Sequence, residues 1–336
     1  MSLLHVIILA IVQGLAELLP VSSSAHVIVA EKLMGMNPSA PEMTLLLVML
    51  HTGTMLAVIV YFWQRWQRTF FGTIADFKNF IVALIVATAL TILVGGGITE
   101  FIEKVMMRHQ PHAWVEQLFN RLDLIAAALA AGGVLILIAG LVENRRAKSE
   151  NAGGLRSGES SGESSAGLGP KASAPLPGTS GARAGVTTGV LEKRGLAQTA
   201  SPSEMTSKQY SWIGAIQGLC VPFRGFSRSG ATISVGLLLR VSRQTAEDFS
   251  FALAVVLTPP ADAREVWRLY ESQHHNLAAM IPSATPSILG MIFAFLAGLL
   301  ALRWLSRWLE TGRWHLFGFY CLAAAVAVAY LHHLGF

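Results

Sequence analysis

The sequence predicts an all-α integral membrane protein, with about six transmembrane helices and two re-entrant helical hairpins arranged as inverted repeats. Three observations point there. Hydrophobic residues make up 53% of the 336 residues and charged residues only 13%, a balance outside the range of soluble globular domains. The apolar residues are gathered into runs, several near the length of about 20 residues that a helix needs to cross a hydrocarbon core roughly 30 Å thick. Two further apolar segments are broken by polar residues, and these two resemble each other.

In chain order, residues 2–35 come first, interrupted by Glu17, Pro20 and the run Ser22-Ser23-Ser24, which reads as helix, polar turn, helix. Full spans are expected near 42–63, 79–97 and 123–143. Residues 149–207 are rich in Gly, Ser, Ala, Thr and Pro and too poor in large apolar groups to offset the entropy of folding, so a disordered cytoplasmic linker is expected there. Residues 211–240 form the second interrupted segment, broken by Pro222, Arg224, Gly225 and Ser227-Arg228-Ser229, and spans near 246–263, 283–303 and 315–335 follow. The expected organisation is an N-terminal membrane half (1–148), the linker (149–207) and a C-terminal membrane half (208–336). Irregular backbone at membrane depth is tolerated only where it is buried in protein or lines a cavity. Both hairpins should therefore face an internal site.

Ile11-Val12-Gln13-Gly14-Leu15 is echoed by Ala215-Ile216-Gln217-Gly218-Leu219, and each is followed about ten residues later by a serine-rich turn, which suggests internal duplication. If the spans alternate, Arg65, Arg68 and Lys78, then Arg145, Arg146 and Lys148, then Arg303, Arg307 and Arg313 fall on one side, expected to be cytoplasmic. The hairpins then enter from opposite faces, the loops near 98–122 and 264–282 lie outside, and so do both termini. Trp63, Trp66, Trp304, Trp308 and Trp314 flank these basic residues and are expected as interfacial anchors.

Composition excludes several function classes. Cys220 and Cys321 are the only cysteines and sit in apolar runs, which argues for core residues over a disulfide framework or metal site. The net charge of +5 is modest and its basic residues cluster at span ends, which fits anionic membrane lipid as the partner, with no nucleic acid expected.

Chemistry is expected where polar residues are costly. Gln13 and Glu17 are four apart and share one helix face, Pro20 then breaks the helix, and the serines fall in the turn with His26 beyond them. Ser22 or Ser24 could serve equally as a helix cap. An intramembrane carboxylate marks a candidate site, and His26 beside it a candidate catalytic imidazole. In the second hairpin, Gly225, Ser227, Arg228, Ser229 and Thr232 combine a glycine turn, hydroxyls and a guanidinium at a helix start, which is the composition of a phosphate cradle. A binder of negative charge on one hairpin, with carboxylate, hydroxyls and imidazole on the other, points to phosphoryl transfer. A transporter or flippase for an anionic lipid is the alternative, because broken helices meeting at the midplane also serve secondary transport. His51 is expected to make only a structural hydrogen bond, and Thr245 with Asp248 a capping box.

These two motifs resemble those of the bacterial undecaprenyl-diphosphate phosphatase family. A Glu/Gln-x-x-x-Glu pair running into Pro-Val-Ser-Ser and His is matched by Gln13, Glu17, Ser22, Ser23 and His26. The family's Pro-Gly-x-Ser-Arg-Ser-x-x-Thr is matched by Gly225, Ser227, Arg228, Ser229 and Thr232. The resemblance implies hydrolysis of undecaprenyl diphosphate to the monophosphate and inorganic phosphate, recycling the lipid carrier for cell-wall synthesis at the bacterial inner membrane. It also implies a site open to the outer face and a divalent cation, Mg2+ or Ca2+, near Gln13 and Glu17; homodimerisation stays open. Three departures stand out: Gln13 where many relatives carry glutamate, Arg224 in place of the family's proline, and the long linker. For the attack itself, the hydroxyl of Ser23 is preferred, with Glu17 or His26 as base. His26 as nucleophile and direct attack by water remain alternatives.

Overall fold

The structure, a computed structural model, describes residues 2–38, 40–106, 121–159, 205–272, 281–309 and 313–335. Among these, ten α-helices and no strands are present. The first half holds α1 (Leu3–Leu18), α2 (Ser23–Leu33), α3 (Pro41–Phe70), α4 (Ile74–Met106) and α5 (Leu122–Glu159). The second repeats the order with α6 (Ser207–Cys220), α7 (Arg228–Leu238), α8 (Arg243–Ser272), α9 (Ile281–Leu309) and α10 (His315–His333). α2 and α7 are both 11 residues long, and α3 and α8 both 30, so duplication is visible in the elements as well as in the motif.

Local chemistry explains where the hairpins break. Leu19 precedes Pro20, and the proline ring pushes the preceding residue out of the helical region; Leu19 accordingly sits at φ −80°, ψ 148° and ends α1. Thr206 opens α6 with a capping box, its backbone N–H donating to Gln209 Oε1 at 2.8 Å.

Among the described residues, five helical stretches are long and apolar enough to cross a membrane: Pro41–Phe70, Ile74–Val105, Leu122–Ser149, Ala284–Trp304 and His315–His333. Their outer faces suit hydrocarbon, with Leu93 and Val326 each 70% exposed. The sixth expected span, 246–263, lies within α8, which is long enough but does not reach that apolar standard. Glu247, Asp248 and Asp262 lie within the expected span, and the helix buries the first two. Arg65 Nε donates to Asp248 Oδ2 at 2.8 Å, so the charge is paired inside protein instead of meeting lipid. Asp248 is therefore an ion-pair partner and not half of a capping box. The hydroxyl that accepts from the α8 first turn is Ser242, from Thr245 N at 3.2 Å.

The chain forms two compact units, Met1–Val142 with Ala200–Phe336, and Glu143–Thr199. The backbone of 149–159 continues α5 where composition places the start of the linker, because extending an existing helix costs far less than nucleating one. Residues 160–204 lie outside the described residues.

Within the larger unit the halves exchange their hairpins. α1 packs against α9 and α6 packs against α4, so each hairpin's first helix rests on a long helix of the other half. The repeated Gln-Gly explains the closeness of both crossings. A Cβ on Gly14 would stand 2.5 Å from Ala297 Cβ, and one on Gly218 would stand 2.8 Å from Thr91 O. Small residues at a helix interface let backbones approach where lipid offers no hydrophobic drive for association.

The tryptophans divide. Trp63 and Trp304 are half exposed, as anchors should be, whereas Trp66 and Trp314 are buried. Trp66 follows Phe62 and precedes Phe70 at helical spacing, and together they build an aromatic core with Phe80 and Phe251. Trp314 donates from Nε1 to Ser234 Oγ at 3.1 Å. Adjacent basic residues misled the expectation, since a short loop can carry charge outward while its tryptophan turns inward. The described side chains do not include Trp308. Cys220 and Cys321 are buried, as expected of core residues.

Candidate active site

The two hairpin turns meet at Glu17, in the last turn of α1. Gln13, one turn earlier, donates from Nε2 to Glu17 Oε2 at 3.0 Å. Ser23, the first residue of α2, donates its hydroxyl proton to the same oxygen. Arg228, the first residue of α7, donates from Nη2 to Glu17 Oε1 at 3.2 Å. Burying a carboxylate is costly unless it is paired and hydrogen-bonded, and here the guanidinium comes from the other half of the chain. Glu17 is only 9% exposed at its side chain while Arg228 is 34% exposed, so the cation keeps a face open to the cavity.

Two backbone features aim these groups. Ser22 sits at φ 68°, a conformation uncommon for a residue with a side chain, and it swings the chain so that Ser23 begins α2 beside α1. Gly225 sits at φ 107°, and a Cβ there would stand 2.6 Å from the Ile125 carbonyl oxygen, so only glycine fits this turn against α5. Ser227 caps α7, its Oγ accepting from Gly230 N at 3.1 Å. Ser227, Arg228 and Ser229 line the cavity, so the N-terminal end of α7, whose dipole favours an anion, borders it.

A cavity of about 640 Å³ opens beside this cluster, within the size range of small-molecule sites. Glu17, Ser22, Ser23, Ser227, Arg228 and Ser229 all line it. The remaining expected residues stand behind the wall. Gln13 is buried and holds Glu17, and among the described residues its own Oε1 has no hydrogen-bond partner. Thr232 donates to the carbonyls of Arg228 at 2.9 Å and Ser229 at 3.2 Å, bracing the α7 first turn. Gly225 makes the turn. His26 faces away, with Nδ1 at 2.7 Å from the Ser22 carbonyl and Nε2 at 2.9 Å from the Tyr320 hydroxyl.

The imidazole that does line the cavity is His51, on α3. Its Nδ1 makes the expected structural bond, donating to the Leu47 carbonyl at 2.9 Å, but its Nε2 also stands 3.6 Å from Glu17 Oε2. Asp262, on α8, was likewise missed. It lines the same cavity and accepts from Thr52 Oγ1 at 3.4 Å. A histidine inside an apolar run gives no sequence sign of its tertiary neighbour, and Asp262 sits next to residues expected to form a loop.

Among the described residues, no group of three or more His, Cys, Asp or Glu side chains is placed to hold a metal ion. A weakly held hard cation needs less, since it commonly takes one or two carboxylates and completes its shell with substrate oxygens and water. Glu17, on the cavity wall, is an oxygen donor of that kind, whereas Gln13, named beside it for the metal, lies buried behind it and holds it through Nε2.

Chemically, the arrangement offers a hydroxyl on a carboxylate, a guanidinium facing the same space and a helix N-terminus suited to an anion. Residues 6–202 and 178–327 match the family of the bacitracin resistance protein BacA. The chain belongs to this family. Its relatives include Undecaprenyl-diphosphatase 2 of Acinetobacter baylyi, 48% identical over 96% of this chain and 95% of the relative. Undecaprenyl-diphosphatase of Cupriavidus metallidurans is 30% identical over 97% and 94%, and Undecaprenyl-diphosphatase 2 of Burkholderia ambifaria 28% over 97% and 95%. In this BacA-family chain the alignments thus span both membrane halves and both motifs.

Proposed function

We propose that this chain hydrolyses undecaprenyl diphosphate to undecaprenyl phosphate and inorganic phosphate, recycling a lipid carrier for cell-wall synthesis. The observation that carries the reading is the meeting of the Ser23 hydroxyl, the Glu17 carboxylate and the Arg228 guanidinium in one cavity. Family membership and the names of the relatives support it.

In the reaction, the Ser23 hydroxyl attacks the terminal phosphorus and its proton passes to Glu17, which already accepts it as a hydrogen bond. The anhydride P–O bond breaks and the lipid monophosphate leaves. Glu17 gives its proton up to the departing monophosphate or to water. With the carboxylate again as base, water then attacks the phosphoserine, the P–Oγ bond breaks, Glu17 returns a proton to Ser23 and inorganic phosphate leaves. Arg228 holds the charge of the terminal phosphate. A guanidinium carries five N–H donors, and Arg228 meets Glu17 through Nη2, on a side chain that keeps a face open to the cavity. The amides at the start of α7 bind the remaining phosphate oxygens, with Ser227 and Ser229 beside them. Glu17, on the cavity wall, would hold a divalent cation, Mg2+ or Ca2+, with Gln13 bracing the carboxylate from behind. Such an ion, when bound, neutralises charge on the diphosphate oxygens. The prenyl chain follows the apolar wall past Ile92 and Gly95 on α4.

The setting is the bacterial inner membrane, with the cavity open to the outer face, where a carrier lipid arrives after delivering its cargo. A flippase is the rival reading. Phosphate release in detergent micelles, where no gradient exists, separates the two. Purified protein supplied with undecaprenyl diphosphate should release phosphate and leave the lipid monophosphate; lipid recovered unchanged would refute the phosphatase.

A further inference from the structure

Ser22 holds a backbone conformation that side chains disfavour, and the group that would attack is on the next residue. What holds this turn is therefore part of the machinery. Ser22 makes no capping bond with its side chain; its hydroxyl stands 3.4 Å from that of Ser24. Its carbonyl, by contrast, faces His26 twice, accepting from the backbone N–H at 3.4 Å and from Nδ1 at 2.7 Å. A carbonyl can only accept, so Nδ1 carries the proton and Nε2 of the neutral ring presents its lone pair. That lone pair points to the Tyr320 hydroxyl at 2.9 Å, and the two rings stack with centroids 5.7 Å apart and 12° between planes. Tyr320 lies on α10, in the other half of the chain. Both ring nitrogens are thus engaged, and the imidazole is not among the cavity walls.

We infer that His26 is a positioning residue, locked by Tyr320, that holds the Ser22 turn and thereby sets where the Ser23 hydroxyl lies. An imidazole acting as nucleophile or base on the substrate would have to present a nitrogen lone pair to the cavity. The one lone pair in this geometry is turned to α10. The lock instead joins the turn of the first hairpin to a helix of the second half, as the contact of Arg228 with Glu17 also joins the halves. The inference rests on Ser23 as the attacking group, and its test keeps the two claims apart.

Asparagine and glutamine at position 26 distinguish the two nitrogens, because the Asn amide nitrogen falls near the Nδ1 position and the Gln amide nitrogen near Nε2. Phosphate release from undecaprenyl diphosphate is measured on the full chain in detergent, with kcat and KM resolved. His26→Asn should keep kcat within about tenfold of the parent, while His26→Ala loses about a hundredfold with KM little changed, the scale expected when a reacting group is displaced by an ångström. His26→Gln should fall below His26→Asn. That order decides the matter even if the alanine variant fails to fold. A glutamine variant as active as the asparagine variant, or an acid-labile phosphohistidine trapped on the parent protein, would overturn the inference. Ser23→Ala in the same assay separates the two failures: full activity there refutes the serine as attacking group, while the order of Asn over Gln still decides the role of His26.

Discussion

At the scale of single residues, the site rests on one buried carboxylate shared among several donors. Glu17→Gln keeps shape and most hydrogen bonds but cannot take the Ser23 proton; kcat should drop about a hundredfold or more, the usual worth of a general base, with the variant still folded in detergent. Arg228→Lys keeps the charge and loses the planar fork, and a loss of about a hundredfold in kcat is expected from removing one preorganised donor to the transferring group. Near-parental turnover in either variant refutes its assigned role. Much of this site was legible in sequence, because Glu17 and Arg228 are ionisable groups in apolar context and both motifs are local. His51 and Asp262 were not, since what makes them notable is a tertiary neighbour, 3.6 Å away for one and on another helix for the other. His26 was read by its proximity to the serines, but residue spacing does not say that its ring turns toward α10.

At the scale of elements, the hairpins could be read from Pro20 and from the Pro222-to-Ser229 turn, because a proline or a strained glycine breaks a helix by local sterics alone. The exchange of hairpins between halves could not be read that way, since it depends on which long helices offer small residues at the crossing. Its energetic signature is testable. A Cβ on Gly53 would stand 2.3 Å from the Met291 carbonyl oxygen, and one on Gly14 2.5 Å from Ala297 Cβ, whereas Gly97 has nothing within 4 Å. Gly53→Ala and Gly14→Ala should each destabilise by about 1–3 kcal/mol, as overpacked sites do. Gly97→Ala should be near neutral, all three compared by thermal unfolding in the same detergent. The sixth long helix, α8, shows the limit of reading hydropathy alone. Its acidic residues pair with Arg65 and line the cavity, so an apolar average understates how much of it sits within the bundle.

At the scale of the whole molecule, two halves joined through residues 160–204 are expected to act as one site. Because loop closure costs grow only with the logarithm of length, about 0.6 kcal/mol per doubling, replacing 160–204 by a short flexible connection should leave phosphate release unchanged; lost activity in an inserted protein would assign that segment a function. Sidedness has its own test. Ser229→Cys, in a chain also carrying C220A and C321A, should react with a membrane-impermeant thiol reagent added outside intact cells, and labelling solely from the cytoplasmic side would refute an outward opening. The most direct measurement is rapid acid quench during turnover of undecaprenyl diphosphate labelled in its terminal phosphate, followed by peptide mapping. Label on Ser23, removed by alkali and absent from Ser23→Ala, is the expected result; parental turnover by Ser23→Ala, with no labelled protein at any time, would contradict it.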